Sequence, residues 1–284
     1  MLPTNDLPGL SSPVPAGQQS DGLLARFPNA PTRRRVFREV RRFATLDSTN
    51  SYLVREARLH APEGLVVVAD HQEAGRGRLD RRWLASPGSS LLVSMLMRPG
   101  LAADRLHLCS AVVALAVTDA CREVAEIDVG IKWPNDVMVR GRKLAGILSE
   151  TFLDDGVRVV VAGLGLNLKW SQGLPEEIAT SATSLAIETG RDVGREEFLD
   201  CFLNLLEDRY QALASFAGQR RQVKDYRRCS KTIGRRVRVE IGEESFAGKA
   251  VDITLEGHLL VDVGDSVRTV VAGDVVHLRP LDGA

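Results

Sequence analysis

Between Asp70 and Trp83 the chain reads DHQEAGRGRLDRRW, the stretch with the densest supply of chemistry in the sequence. Gly75 and Gly77 alternate with Arg76 and Arg78, and Arg81 and Arg82 follow. Glycines let backbone approach a ligand closely, while guanidinium forks make charge-assisted, often bidentate bonds to phosphate or carboxylate. An exposed basic turn with nothing bound has the same composition, so the loop alone leaves both readings open. Trp83 adds a flat apolar face beside the charges.

Three other places carry side chains that suit an anion site. Asp47-Ser48-Thr49-Asn50 stands directly before the helical run Tyr52–Leu59. These residue types are N-cap chemistry, and a helix N-terminus also favours a negative or polar ligand group. A cap uses one hydroxyl, which leaves the rest of Ser48, Thr49 and Asn50 without a structural reason. Lys132 and Lys143 alternate with apolar neighbours in short β-rich runs; each is either a wet edge residue or a charge turned into a site. Gly163-Leu164-Gly165-Leu166-Asn167 lacks the third glycine and the following amphipathic helix of a dinucleotide fingerprint, and no GxxxxGK[ST] occurs. Its glycines predict close approach of the strand to a ligand or to another strand.

The elements that must hold these residues follow from periodicity. Leu65–Ala69 and Ser89–Met97 read as buried strands, and Arg33–Arg42 as an edge strand with one wet face. Asp104 opens a helix whose apolar residues recur at helical spacing to Val124. Arg140-Gly141 and Asp155-Gly156 separate β-rich runs and predict hairpins. Short and long helices are predicted at Ser181–Glu188 and Arg195–Phe216. Five runs between Val237 and Leu278 then read as a small barrel of SH3 size. Met1 to about Pro31 is aperiodic and rich in Pro, Gly and Ser, which predicts a mobile tail.

The whole chain of 284 residues is neutral, with 37 basic and 37 acidic side chains, so no global attraction to nucleic acid or membrane is expected. Its longest apolar run, Ala111–Val117, cannot span a bilayer, and no secretory leader is read at the start. Cys109, Cys121, Cys201 and Cys229 are dispersed, as in a cytoplasmic protein with reduced thiols and no zinc site.

Taken in order, DSTN at Asp47–Asn50, GRGR at Gly75–Arg78 with Trp83, KWPND at Lys132–Asp136, KLAGIL at Lys143–Leu148 and GLGLNL at Gly163–Leu168 resemble the motifs of biotin–protein ligases. The resemblance runs from Phe43 to the C-terminus, and five motifs in sequence are far more specific than any one glycine pattern. It implies an α/β (α+β) catalytic fold of the class II aminoacyl-tRNA synthetase-like kind, with a mixed, largely antiparallel sheet, followed by an SH3-like β-barrel. The expected division is a tail over 1–35, a catalytic domain over 36–230 and the barrel over 231–284. No DNA-binding winged helix is read, so the likeness is to the ligase-only class. The implied reaction activates biotin with ATP and Mg2+ to biotinyl-5′-AMP, then passes biotin to a lysine of a biotin carboxyl carrier domain. A lipoate–protein ligase and a non-enzymatic repressor or SH3-like binding module are the alternatives.

Carried over by motif, the biotin pocket comprises Ser48, Thr49, Asn50, Gln72, Arg76, Gly77, Arg78 and Lys143. Arg78, Trp83, Lys132, Asn135 and Asn167 fall near the nucleotide, and Lys143, Arg78 and Lys132 are the catalytic set. Metal is implied chiefly on phosphate oxygens, Asp136 being the one protein side chain named for it. The family loop reads GRGRxGRxW, and Asp80 here replaces its later glycine. The barrel carries none of the matched substrate motifs. A monomer or homodimer is expected.

Overall fold

Gly-containing turns and β-branched runs organise two sheets in the computed structural model, which describes residues 23–24, 34–79, 81–169, 180–271 and 273–277. Residues 1–22 and 25–33, which make up most of the expected tail, and Asp80 lie outside the described residues. The larger sheet has eight strands: β1 Leu23–Leu24, β2 Val40–Leu46, β3 Val66–Gln72, β4 Ser90–Met97, β5 Gly130–Lys132, β6 Asp136–Val139, β7 Arg142–Asp154 and β8 Val157–Asn167. Their order is β1-β2-β3-β4-β8-β7-β6-β5. Only β2 and β3 run parallel, joined by helix α1 (Thr49–Arg58), so the sheet is mixed and largely antiparallel.

The predicted hairpins form where the sequence places them. Arg140 (φ 48°) with Gly141 (φ 78°), and Asp155 (φ 46°) with Gly156 (φ 79°), supply the paired left-handed residues that match hairpin twist. Beside the sheet run α2 (His107–Val124), α3 (Leu185–Thr189), α4 (Arg195–Ala212) and α5 (Phe216–Cys229). Helix α1 covers one face of the sheet through Leu53 and Ala57 against Val67, Leu96 and Val161. α2, α4 and α5 cover the other, with Leu108, Leu115, Phe198, Phe202 and Tyr226 inward.

Two expectations change. The helix expected over Arg195–Phe216 ends at Ala212, and a separate helix starts at Phe216 with Ser215 as its N-cap. At Gly218 an added Cβ would lie 1.9 Å from the Ala212 carbonyl oxygen, so the tight corner depends on glycine. The edge strand expected at Arg33 begins instead at Val40. The backbone N–H groups of Arg35, Val36 and Phe37 turn onto the buried carboxylate of Glu207, 3.0–3.1 Å away, because Phe37 buries fully against Tyr210.

The C-terminal sheet holds β9 Arg236–Ile241, β10 Glu244–Ile253, β11 Leu259–Asp262, β12 Val267–Val270 and β13 Asp274–His277 in the order β12-β11-β10-β9-β13, all antiparallel. It is tied to the larger sheet: Trp133 Nε1 donates to Gly257 O at 2.9 Å, and Trp133 N donates to Thr232 Oγ1 at 2.9 Å. Two histidines sit at this seam. Burial pushes His107 down to about 4; burial and then the charges of Lys132 and Arg235 push His277 to about 4. Both are neutral when folded and take up a proton on unfolding below about pH 6.5. The unfolded chain therefore binds more protons between about pH 6.5 and 4, and stability drops as pH falls through that window. Thermal melts should show a falling midpoint from pH 7 to 4.5, flattened in a His107→Gln, His277→Gln double variant. An equally steep fall in that variant would assign the acid sensitivity elsewhere.

Candidate active site

The residues singled out by type converge at one end of the larger sheet. Ser48 caps α1, placing Thr49 and Asn50 in its first turn against β4, β7 and β8. Thr49 donates from N and Oγ1 to Gln72 Oε1 at 2.8 and 2.9 Å. Asn50 Nδ2 reaches Leu148 O (3.1 Å) and Glu150 Oε1 (3.0 Å), and Ser94 Oγ lies 2.6 Å from Asn50 Oδ1 and 2.7 Å from Thr49 Oγ1. This buried polar knot fixes the helix end as a rigid wall, since each group holds the next in one orientation.

Opposite stands the arginine loop, itself a tight hairpin: Trp83 N donates to Gly75 O at 3.0 Å and Gly77 N to Arg81 O at 2.6 Å. Each arginine has a partner. Arg76 pairs with Glu150 at 2.6 Å, Arg78 donates to Gly273 O at 3.1 Å and touches Asn135 Oδ1 at 3.5 Å, and Arg81 pairs with Asp274. Burial pushes Arg78 down, partly offset by Asp274 and Asp136. Burial pushes Asp274 up, but the Arg81 hydrogen bond and the Arg81 and Lys132 charges outweigh it, holding that carboxyl below its ordinary value. The loop is thus fastened on two sides.

Ser48, Thr49, Asn50, Gln72, Arg76, Gly77, Arg78, Trp83, Asn135, Asp136 and Lys143 line the resulting cleft of about 160 Å³. Lys143 Nζ is 2.6 Å from Asp136 Oδ1 and 5.5 Å from the centroid of the Trp83 ring. Gly163 and Gly165 explain themselves here: a Cβ would meet Asn50 Oδ1 at 2.2 Å and the Trp83 ring at 2.5 Å respectively. The strand comes close to those two side chains, not to a second strand.

Two named residues lie apart from this cleft. Asn167 is buried, with Nδ2 on Thr183 O at 2.9 Å and Oδ1 near Ser90 Oγ at 3.5 Å, so its amide is spent on the fold. Lys132 is not among the side chains that line the cleft, but it stands opposite Asp136 in the β5–β6 register, and its charge acts on Asp274, which does line it, and on His277. Asp136 is engaged by Lys143, and among the described residues it belongs to no group of three or more ligating side chains. Conversely, Ser94, Glu150 and Asp274 were not singled out. Ser94 was legible as the polar residue inside the otherwise apolar run Leu91–Met97; Asp274 had no local signal, because it reaches the loop from the other sheet.

A family model described as the biotin/lipoate A/B protein ligase family matches residues 43–167, and one described as the biotin protein ligase C terminal domain matches residues 232–278. The chain is 39% identical over 242 residues to a biotin--[acetyl-CoA-carboxylase] ligase of Mycobacterium tuberculosis, covering 83% of this chain and 88% of that one. It is 32% identical over 234 residues to the bifunctional ligase/repressor BirA of Bacillus subtilis, covering 81% and 71%. The Aquifex aeolicus biotin protein ligase solved with biotin and ATP superposes with a TM-score of 0.73 at 28% identity, over 86% of this chain and all of that one.

Proposed function

We infer, since the chain belongs to the biotin–protein ligase family, that it joins biotin to a carrier-protein lysine at the expense of ATP. The observation that carries this reading is the placement of Lys143 beside Trp83 and facing Arg78, inside a wall made by Ser48, Thr49 and Asn50. A carboxylate and a polyphosphate are both anions, so bringing them together requires preplaced cations.

Ser48, Thr49, Asn50, Gln72 and the backbone at Gly77 offer the neutral polar groups that suit the ureido and thioether end of biotin. Its carboxylate then meets Lys143, taking the place that Asp136 holds in the free protein. A carboxylate oxygen attacks the α-phosphorus of MgATP, pyrophosphate departs, and biotinyl-5′-AMP stays under the loop. Lys143 and Arg78 face the charge that builds on the phosphoryl oxygens. Trp83 offers the adenine a ring face, and Asn135 and Lys132 stand on the phosphate side. Mg2+, as the counter-ion of ATP, would be held chiefly by phosphate oxygens, and would supply neutralisation of their charge. Because the mixed anhydride hydrolyses in water, the fastened loop serves as its cover.

The acceptor proposed is the biotin carrier domain of a biotin-dependent carboxylase. Residues 36–230 are taken as the catalytic unit and 231–284 as the C-terminal one. Among the described residues no helix is long and apolar enough to cross a membrane. A cytoplasmic monomer or homodimer that acts without nucleic acid completes the reading.

ATP–pyrophosphate exchange, measured with biotin and lipoate in separate reactions, tests the function. Exchange is expected with biotin and not with lipoate. Exchange only with lipoate would transfer the chain to the other branch of the family, and none with either would remove the ligase reading.

A further inference from the structure

A second cavity, of about 400 Å³, opens beside the first and meets it at Arg78, Asn135, Ile147 and Leu148. It lies on the α2 side of β7, roofed by the Leu255–His258 turn of the C-terminal sheet. Beyond the residues it shares with the cleft, the matched motifs supply only Trp133 and Pro134 to its lining. Its walls are apolar: Leu108 and Ala111 from α2, Trp133 from the β5 end and Tyr226 from α5. Most polar groups in those walls are engaged, Ser110 Oγ on Ser149 Oγ at 2.7 Å and the Tyr226 hydroxyl on Pro134 O at 3.0 Å, while His107 Nε2 is buried with no hydrogen-bond partner among the described residues. On the solvent side stand the carboxylates of Asp104 and Glu256, with the exposed side chain of Val271.

We propose that this cavity is the passage by which the acceptor lysine reaches the activated biotin. The inference rests on the ligase reading above and adds the route that reading leaves open. Arg76–Glu150 and Arg81–Asp274 fasten the loop over the first cleft, so a nucleophile needs another way in. Charge selects the occupant. A departing pyrophosphate would face the two carboxylates at the mouth; the one guanidinium in the lining, Arg78, is already engaged by Gly273 and Asn135, and the Arg105 charge and the His258 imidazole stand by Glu256. A lysine ammonium finds those carboxylates attractive, and its four-carbon stem suits apolar walls. The imidazole of His107, held neutral by burial, does not repel it.

The chemistry follows the same gradient. At the mouth the ammonium is favoured, while in the apolar neck the charged form is disfavoured, so it yields a proton to water as it enters. The free amine attacks the carbonyl carbon of biotinyl-AMP. The N–C bond forms, the C–O bond to phosphate breaks with its electron pair leaving on AMP, and the second nitrogen proton passes to solvent.

Two surface substitutions test the passage without touching the first cleft: Val271→Trp, which narrows the mouth, and Glu256→Lys, which reverses its charge. The full-length parent and each variant are first checked by thermal denaturation. Single-turnover biotinyl-AMP formation is then measured, followed by its discharge with an apo biotin carrier domain or with hydroxylamine. Adenylate formation and hydroxylamine discharge should stay within about twofold of the parent. Transfer to the carrier domain should fall about tenfold in each, as rim charges and access govern association. Parent-like transfer in both variants overturns the proposal. So does a loss of adenylate formation equal to the loss of transfer, which would give the cavity to the nucleotide. A parent that makes no biotinyl-AMP at all would defeat the ligase reading itself, a result these variants cannot mimic.

Discussion

Lys143→Ala is expected to form biotinyl-AMP about 10²–10³-fold more slowly than the parent, with biotin affinity changed far less. Nζ lies 2.6 Å from Asp136 and over the Trp83 ring at 5.5 Å, between the wall where the carboxylate sits and the ring offered to adenine. From there one cation faces both reacting anions, and its attraction grows as charge moves onto the phosphoryl oxygens. Removing a single well-placed donor of this kind costs about 3–4 kcal/mol of transition-state stabilisation. The free protein also holds Nζ in place through Asp136, so little ordering remains when substrate arrives. Lys143→Arg should recover only part of the rate, because a planar fork does not replace a point charge on a flexible stem. The measurement is single-turnover adenylate formation at saturating biotin and ATP, with biotin binding followed by calorimetry. Formation by Lys143→Ala at nearly the parent rate would remove Lys143 from its role.

How far the chain could be read in advance differs with the kind of contact. Hairpins at Arg140-Gly141 and Asp155-Gly156 were legible because left-handed turn residues are a local requirement. The five C-terminal strands were legible for the same reason. Residues on one motif, such as Ser48 with Thr49 or Arg76 with Arg78, could be named together because the chain itself keeps them adjacent. The corner at Ser215 was not legible: a cap serine within a helical pattern looks like any polar surface residue until Gly218 packs on Ala212. Asn167 and Lys132 show what a motif leaves open. A motif supplies a position along a strand, but the partner that claims the side chain, Thr183 for one and the field of Asp274 for the other, comes from elsewhere in the chain. Asp274 is the extreme case. It sits 193 residues from Arg81, on a sheet read as carrying no substrate residues, yet it lines the cleft and holds the loop.

That contact makes the loop's two functions separable, and Arg78→Ala should disturb both. Arg78 faces the cleft from within the loop while donating to the Gly273 carbonyl of the C-terminal sheet. Its loss removes a donor from the transition state, slowing adenylation by about 10²-fold, the lower end for one such group. It also removes a tether, so biotinyl-AMP should escape to water or stray amines sooner than from the parent. Arg81→Ala is the informative contrast. Its guanidinium is tied to Asp274, mostly exposed, and its removal unfastens the loop while leaving Lys143 and Arg78 in place. Adenylation by Arg81→Ala should therefore stay near the parent rate while the half-life of bound biotinyl-AMP shortens. Exchanging the charges, Arg81→Asp with Asp274→Arg, should restore retention, because the pair rather than either residue holds the loop down. The readout is release of radiolabelled biotinyl-AMP from preloaded enzyme, timed by rapid filtration. Parent-like retention in Arg78→Ala and Arg81→Ala alike would mean that the intermediate is kept by the pocket walls at Ser48–Asn50 and not by the loop.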